Sequence, residues 1–444
     1  MSVIWIGYTT LYREGGPKFA RAAETMRRAK EAAAEAGTRQ PRPEIRCEKV
    51  ESKLDFVQAM QRIKDAGEEL AELHFIGHSG MYGPMFRTTA MPEQFSPYEW
   101  QTLDLPFAAD GEAFFHACRS ARWFAPFFAR TFNVPASGYH WYTTVSLDPA
   151  HFKWERPGTP ADAPLYVIGC KGRKSHGALG SLRKYTGRAP AEAMQRFEPE
   201  DPGNDASYDS VAPLYAEVFE DIGVREVEWN WLTRHFDAVP GQPRVLDIGC
   251  GNGALLRKLS DRIASGTGTD ASPVMIELAA ERARTEHPNL RFEAVREPKL
   301  PFPDASFDVV TSLLSFRYLD WDPIMNEIRR VLAPGGRIMI VDMVTAPVRV
   351  KEVPQLFFSK ARTMLGTRKH RAFHSALGRL VSDPRWHRML SYNPIRAEHE
   401  MKWYLESRFP GRKVERLDVA RHARILAFDS GPLQPGTVPP QSYP

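Results

Sequence analysis

The chain has 444 residues, enough for two or three domains with a core each. Its 43% hydrophobic and 25% charged residues exclude a disordered chain, and a formal charge of +5 over this length points neither to nucleic acid nor to a membrane surface. No apolar run approaches the roughly 18 residues of a membrane span, and Met1 opens no basic segment leading into a long apolar one. The four cysteines (Cys47, Cys118, Cys170, Cys250) include no C-x-x-C pair, so a cytoplasmic protein with neither disulfide framework nor metal is expected.

In chain order, residues 3–8 read as a buried strand and residues 17–36, rich in Ala, Arg, Glu and Lys, as a helix. Residues 44–50 form a second strand and residues 53–65 a second helix, and a third strand over 70–80 breaks at small residues around His78. Such alternation predicts a parallel, doubly wound α/β sheet, with ligands and catalytic groups at the carboxyl ends of its strands. The next apolar strand, 112–120, carries His116 and Cys118 and runs into a helix over 121–132. A histidine and a cysteine closing neighbouring strands would set imidazole beside thiol, and the helix N-terminus would favour the thiolate. His116, on the same side of its strand, competes with His78 as the base or packs beneath it. Cys118 as a small core residue is the alternative.

These residues resemble the caspase, gingipain and CHAT group of cysteine peptidases. His78-Ser79-Gly80 stands where that group has His-Gly or His-Ser-Gly, and His116-Ala117-Cys118-Arg119 where caspases have Gln-Ala-Cys-Arg. The resemblance implies a caspase-like domain over residues 1–187 with His78 and Cys118 as a dyad, although Ser120 replaces the glycine that follows Cys-Arg in caspases. Residues 134–144 read as a strand running into an aromatic loop, and residues 165–170 as the last strand of this domain, with Cys170 structural. Residues 188–206, acidic and proline-rich, read as a linker. Tyr208, Val211, Tyr215, Val218 and Phe219 then recur at the spacing of an amphipathic helix.

The second half turns on residues 245–256, an apolar strand that ends in Gly249, Gly251 and Gly253 and passes into a helix. Glycines so spaced let the backbone approach a ligand that any Cβ would repel. The third glycine falls one residue early for a dinucleotide fingerprint. Asp270 closes a second strand where an acid can accept hydrogen bonds from two ribose hydroxyls, and strands over 307–314 and 331–341 follow. The series resembles the class I S-adenosylmethionine (SAM)-dependent methyltransferases, above all the ubiquinone and menaquinone biosynthesis branch, over about residues 205–430.

The resemblance implies a Rossmann-like, seven-stranded methyltransferase domain over residues 207–431 that binds SAM. Gly249, Gly251 and Gly253, with Cys250 and Asn252 between them, would admit the methionine part. Asp247 would steady the turn and the amino group, Asp270 would bind the ribose, and Ala271 and Met275 would flank the adenine. Tyr215 and Ser315 complete the cofactor set, Tyr208 sharing with Tyr215 the choice between the SAM carboxylate and core packing. Arg296, with Glu297 beside it, replaces the acid usual before the loop at 300–304.

For the acceptor, Arg317 offers a site for an anion, Tyr318 or Asp320 a proton-orienting group, and Asp322, ahead of Pro323, an N-cap. His399, on a helix over 396–408, is a candidate base or a surface histidine. Residues 345–394 read as a helical lid with Lys360, Arg362, Arg368, Lys369, His370 and Arg371 on its basic face. Residues 413–419 and 423–428 read as paired final strands, and 432–444 as a disordered tail. The whole is read as a methyltransferase for a small-molecule acceptor, an anion being the kind Arg317 would hold, joined to a caspase-like domain that is either an active peptidase or a scaffold. The alternative is a caspase-like peptidase regulated by a SAM-binding domain.

Overall fold

A computed structural model describes residues 2–13, 15–37, 42–88, 92–200, 208–296, 299–319, 321–346, 352, 354–355, 371–392, 396–419 and 423–433. The chain forms two units, Met1–Gly203 and Asn204–Pro444. Among the described residues no helix is long and apolar enough to cross a membrane.

In the first unit the main strands are β1 (Ser2–Tyr8), β2 (Glu44–Lys49), β3 (Glu69–Ile76), β4 (Phe107–His116), β5 (Ala136–Gly138), β6 (Thr143–Ser146), β7 (Tyr166–Cys170), β8 (Ala191–Glu192) and β9 (Gln195–Phe197). The principal helices are α1 (Gly16–Ala36), α2 (Lys53–Asp65), α3 (Phe124–Phe132) and α4 (Arg173–Tyr185). The main sheet runs β9-β5-β4-β3-β1-β2, parallel except for β9. β1 is apolar from Val3 to Ile6 because both its faces are covered: Val3 and Trp5 pack with Phe56 of α2, Ile4 and Ile6 with Phe19 of α1. Ser52 caps α2 by accepting a hydrogen bond from the Asp55 amide at 3.0 Å. This is the doubly wound order that the alternation predicts, and one that hosts many unrelated functions.

Three expectations for this unit change. β4 ends at His116, so Cys118 lies in the turn beyond it, and α3 begins only at Phe124, which takes the helix N-terminus away from the thiol. The expected linker contains two short strands: β8 pairs with β7, and β9 closes the edge of the main sheet against β5. Residues 195–197 alternate too briefly to show period two, so only the partner strand reveals them.

In the second unit the strands are β10 (Arg244–Ile248), β11 (Ser265–Asp270), β12 (Leu290–Ala294), β13 (Phe307–Leu313), β14 (Leu332–Thr345), β15 (Glu415–Val419) and β16 (Ala423–Asp429). Its α-helices include α5 (Ala212–Val218), α6 (Glu226–Phe236), α7 (Ala254–Leu259), α8 (Pro273–Ala283), α9 (Trp321–Val331), α10 (Arg371–Ser382), α11 (Pro384–Tyr392) and α12 (Glu398–Arg408). The seven-stranded sheet runs β12-β11-β10-β13-β14-β16-β15, with β16 antiparallel to both its neighbours. Order reverses between β10 and β13, the switch point where open α/β sheets hold ligands. Both faces are buried: Leu246, Val310 and Ile340 pack on one, Val245, Val309 and Met339 on the other.

Two described parts of the expected lid, α10 and α11, lie over the segment that precedes the sheet, with Ala376, Leu380 and Met389 against Val211, Val218 and Phe219. The basic residues Lys360, Arg362, Arg368, Lys369 and His370, Asp320, Glu297 and the tail from residue 434 lie outside the described residues. Asp322 is not an N-cap: it stands in the first turn of α9, where its carboxylate accepts from Arg408 Nη2 at 2.7 Å.

Candidate active site

The site in the second unit grows from the end of β10. Gly249 has φ 73° and Gly251 φ 53°, in the left-handed region where a side chain is strained. A Cβ at Gly249 would stand 2.3 Å from the Ser315 side chain, whereas at Gly251 it would meet only Tyr215, 3.9 Å away. The turn is therefore tight on one side and open on the other. Its open side suits a ligand's close approach, and the tyrosine ring faces it. Asp270, at the end of β11, accepts from the Gly251 amide at 2.9 Å and from the Ser272 amide at 2.9 Å. Burial raises its pKa. A carboxylate pinned beside a glycine cradle fits the ribose of an adenosyl cofactor.

The other residues expected to touch cofactor divide. Asp247 is 2% exposed and accepts from Thr311 Oγ1 at 2.8 Å; burial pushes its carboxyl up to about 7. Asn252 is buried and turns away to hold α5, its Nδ2 donating to the carbonyls of Ala216 (3.3 Å) and Phe219 (3.1 Å). Cys250 is buried and its thiol pushed well up by burial, so it is inert packing in the turn. Gly253 precedes α7, and Met275 is buried in α8, whose cap Ser272 accepts from the Met275 amide at 3.2 Å. Ala271 is exposed and its carbonyl accepts from Arg296 Nε at 3.1 Å, so Arg296 braces the backbone at this point. Ser315 Oγ donates to the Ile248 carbonyl at 2.9 Å and ties the β13 end to the glycine turn.

Around the open side stand aromatic rings from three segments. Tyr208 and Tyr318 share a hydrogen bond between their hydroxyls at 3.1 Å, Tyr208 packs edge-on to Tyr215 at 5.2 Å, and Trp386 of α11 stacks on Tyr215 at 6.4 Å. Burial raises the pKa of both Tyr208 and Tyr215. Arg317 is buried beside the Tyr318 ring, 4.4 Å from its centre, and pairs with the buried Asp342 of β14 through backbone and guanidinium. Burial opposes the Arg317 charge, but Asp342, Tyr318 and Tyr208 together outweigh it and keep the guanidinium ionised. Its charge is thus already matched within the protein. His399 is exposed on α12.

Sequence reasoning missed Thr311, Asp342 and Trp386. The first had a signal, a Thr-Ser pair interrupting the apolar run of β13; Ser312 also bonds the glycine-turn strand, donating to the Ile248 carbonyl at 3.0 Å. Asp342 sits inside an apolar strand and Trp386 in a helix without a motif, and only the fold brings either to the site.

In the first unit, His78 and Cys118 line one pocket of about 340 Å³ together with Phe19, Thr143 and Lys184. Cys118 Sγ accepts from the Thr143 amide at 3.3 Å and lies 3.2 Å from Thr143 Oγ1. The His78 ring packs edge-on to Phe19 and Tyr12, at 5.1 and 5.6 Å. His116 is engaged elsewhere: its ring nitrogen pairs with His74 at 3.1 Å, and His74 with Glu72 at 2.7 Å. Burial lowers the pKa of both histidines. Among the described residues no group of three or more His, Cys, Asp or Glu is placed to hold a metal ion.

The methyltransferase domain family matches residues 245–336, the span from β10 into β14. A demethylmenaquinone methyltransferase from Thermus thermophilus is 32% identical over 145 residues, covering 32% of this chain and 66% of its own. One from Deinococcus radiodurans is 34% identical over 138 residues, covering 30% and 57%. The chain thus spans under two thirds of these two relatives. A ubiquinone/menaquinone biosynthesis C-methyltransferase from Laribacter hongkongensis is 30% identical over 167 residues, covering 36% of this chain and 67% of its own. With the glycine cradle, Asp270 and the seven-stranded order already in place, these likenesses assign the cofactor as SAM, and the chain belongs to the SAM-dependent methyltransferases.

Proposed function

We propose that the second unit transfers the methyl group of SAM to a small, neutral acceptor with an aromatic ring, of the quinol type. The observation that carries this reading is the wall of Tyr208, Tyr215, Tyr318 and Trp386 on the open side of the glycine turn. The named substrates of the relatives, demethylmenaquinone above all, have that chemistry. The anionic acceptor expected from Arg317 loses its support, because Asp342 already matches the charge. SAM, when bound, supplies a methyl group on a sulfonium, open to in-line attack. The residues contribute placement: Gly249 lets the turn close on Ser315, Gly251 admits the cofactor, Asp270 takes the ribose, the rings hold the acceptor flat, and the Tyr208–Tyr318 hydroxyl pair orients its oxygen. Transfer of label from methyl-labelled SAM to reduced demethylnaphthoquinones tests the reading. Wild type should label them, Asp270→Ala should lose at least about a hundredfold in kcat/KM, and Tyr318→Phe should lose about tenfold in kcat with SAM affinity kept. SAM binding with no label moved to any ring acceptor would sink it.

A second reading concerns the first unit, a cysteine peptidase resembling the caspase group. Its support is that His78 and Cys118, far apart in sequence, line one pocket. Cys118 would attack a peptide carbonyl while His78 takes the thiol proton and passes it to the leaving amine. A peptidyl electrophile should label wild type, Cys118→Ser should remain unlabelled, and His78→Ala should slow labelling at least about tenfold. Labelling rates equal in wild type and His78→Ala would remove the dyad.

A further inference from the structure

The carboxyl of Asp247 is nearly sealed from water, two residues ahead of the glycine turn. Its described partner is the Thr311 hydroxyl at 2.8 Å, which the register of β10 against β13 sets directly opposite. The titratable groups facing it are acids of like sign: Asp270 from β11 and the Cys250 thiol in the turn. On the side of β10 where Asp247 points, Val245 packs among Trp231 of α6 and Leu255 and Leu256 of α7, none of them titratable. Of the charges at the start of α6, Arg225 and Glu228 pair with each other at 3.3 Å, and Glu226 is an acid of like sign to Asp247. No described cation faces Asp247, so among the described residues its ionised form has no counter-charge. SAM brings two positive groups, a sulfonium and an ammonium, to the adjoining turn.

We infer that SAM binding is coupled to ionisation of Asp247, and that Thr311 is a positioning residue that holds this carboxylate for the cationic cofactor. The inference rests on the cofactor assignment and concerns regulation of that same site. Before SAM arrives the carboxyl keeps its proton until about pH 7, held there by burial, with the Thr311 hydrogen bond pulling the other way. The cofactor's positive charge then stabilises the carboxylate, and one proton leaves to solvent as SAM binds. Affinity for SAM therefore rises with pH up to that point.

The test is calorimetric titration of the full chain with SAM from about pH 5.5 to about 7, below the range in which the ligand's own amino group titrates. Two buffers of different ionisation enthalpy count the protons released. Affinity should rise about tenfold per pH unit, with release approaching one proton at the acid end. Asp247→Asn should abolish both the slope and the release. Thr311→Val should move the rise to higher pH, and Thr311→Ser should restore it. A flat affinity with no proton released by the wild type overturns the inference and leaves the cofactor assignment standing, whereas no SAM binding at any pH overturns that assignment. A slope that survives in Asp247→Asn assigns the proton to Asp270 and also overturns the inference. Identical profiles for Thr311→Val and Thr311→Ser remove Thr311 from it. If Thr311→Val does not fold, wild type and Asp247→Asn decide.

Discussion

Asp247 makes the cofactor-free protein sensitive to pH in a definite direction. Its folded pKa of about 7 lies above the unfolded value of about 3.9, so the folded state binds more protons across that window. Its contribution to stability is complete below about pH 4 and is lost as pH rises toward 7. Denaturant melts of the ligand-free protein should show this loss, on the order of a few kcal/mol, and Asp247→Asn should flatten it. Gly249 is subject to a simpler constraint. Gly249→Ala adds a Cβ 2.3 Å from Ser315 at a φ of 73°, so SAM affinity should fall at least about tenfold while circular dichroism stays native-like. Arg317→Ala would leave Asp342 buried without its partner, costing about 3–5 kcal/mol in a chemical melt. Both glycine and Asp270 were legible in the sequence as spacing. Asp342 was not, because a single acid in an apolar strand has no meaning until the fold shows what it faces.

At the scale of elements, the cofactor turn is roofed by a segment that side chains of the sheet unit hold from below, Asn252 and Arg282 at Ala216 and Arg257 at Glu220. Asn252 donates to two carbonyls of the Ala216–Phe219 stretch, so Asn252→Ala takes a donor from each, leaves the Ala216 carbonyl to Arg282 Nη1 at 3.3 Å, and loosens α5. The expected outcome is a loss of about 1–3 kcal/mol in stability and a raised KM for SAM with kcat little changed, read by steady-state kinetics and a thermal melt. α10 and α11 close over this roof through Leu380, Met389 and Trp386. Trp386→Ala should raise KM for a ring acceptor and leave SAM affinity within about twofold. The amphipathic spacing around Tyr215 announced this roof, because one face of a helix must find apolar cover. Which helices supply the cover was not legible, since α10 and α11 carry apolar stripes that fit any neighbour of the right shape.

Across the whole molecule, each unit has its own sheet and its own two-sided core, so residues 204–444 expressed alone should retain SAM binding at wild-type affinity. Calorimetry on that piece checks the expectation. The sequence by itself determined the parallel, doubly wound character of both units, the glycine turn, Asp270 and the choice of cofactor. These follow from local patterns: alternating strand and helix, glycines where a Cβ is barred, an acid at a strand end. Only the tertiary structure decided that residues 191–197 complete the first unit and that His116 is bound to His74 while His78 lines the pocket with Cys118. It likewise decided that Arg317 is matched by Asp342. Each of these depends on a partner distant in the chain, and a one-dimensional pattern records a residue's own periodicity, not the group that the fold places opposite it.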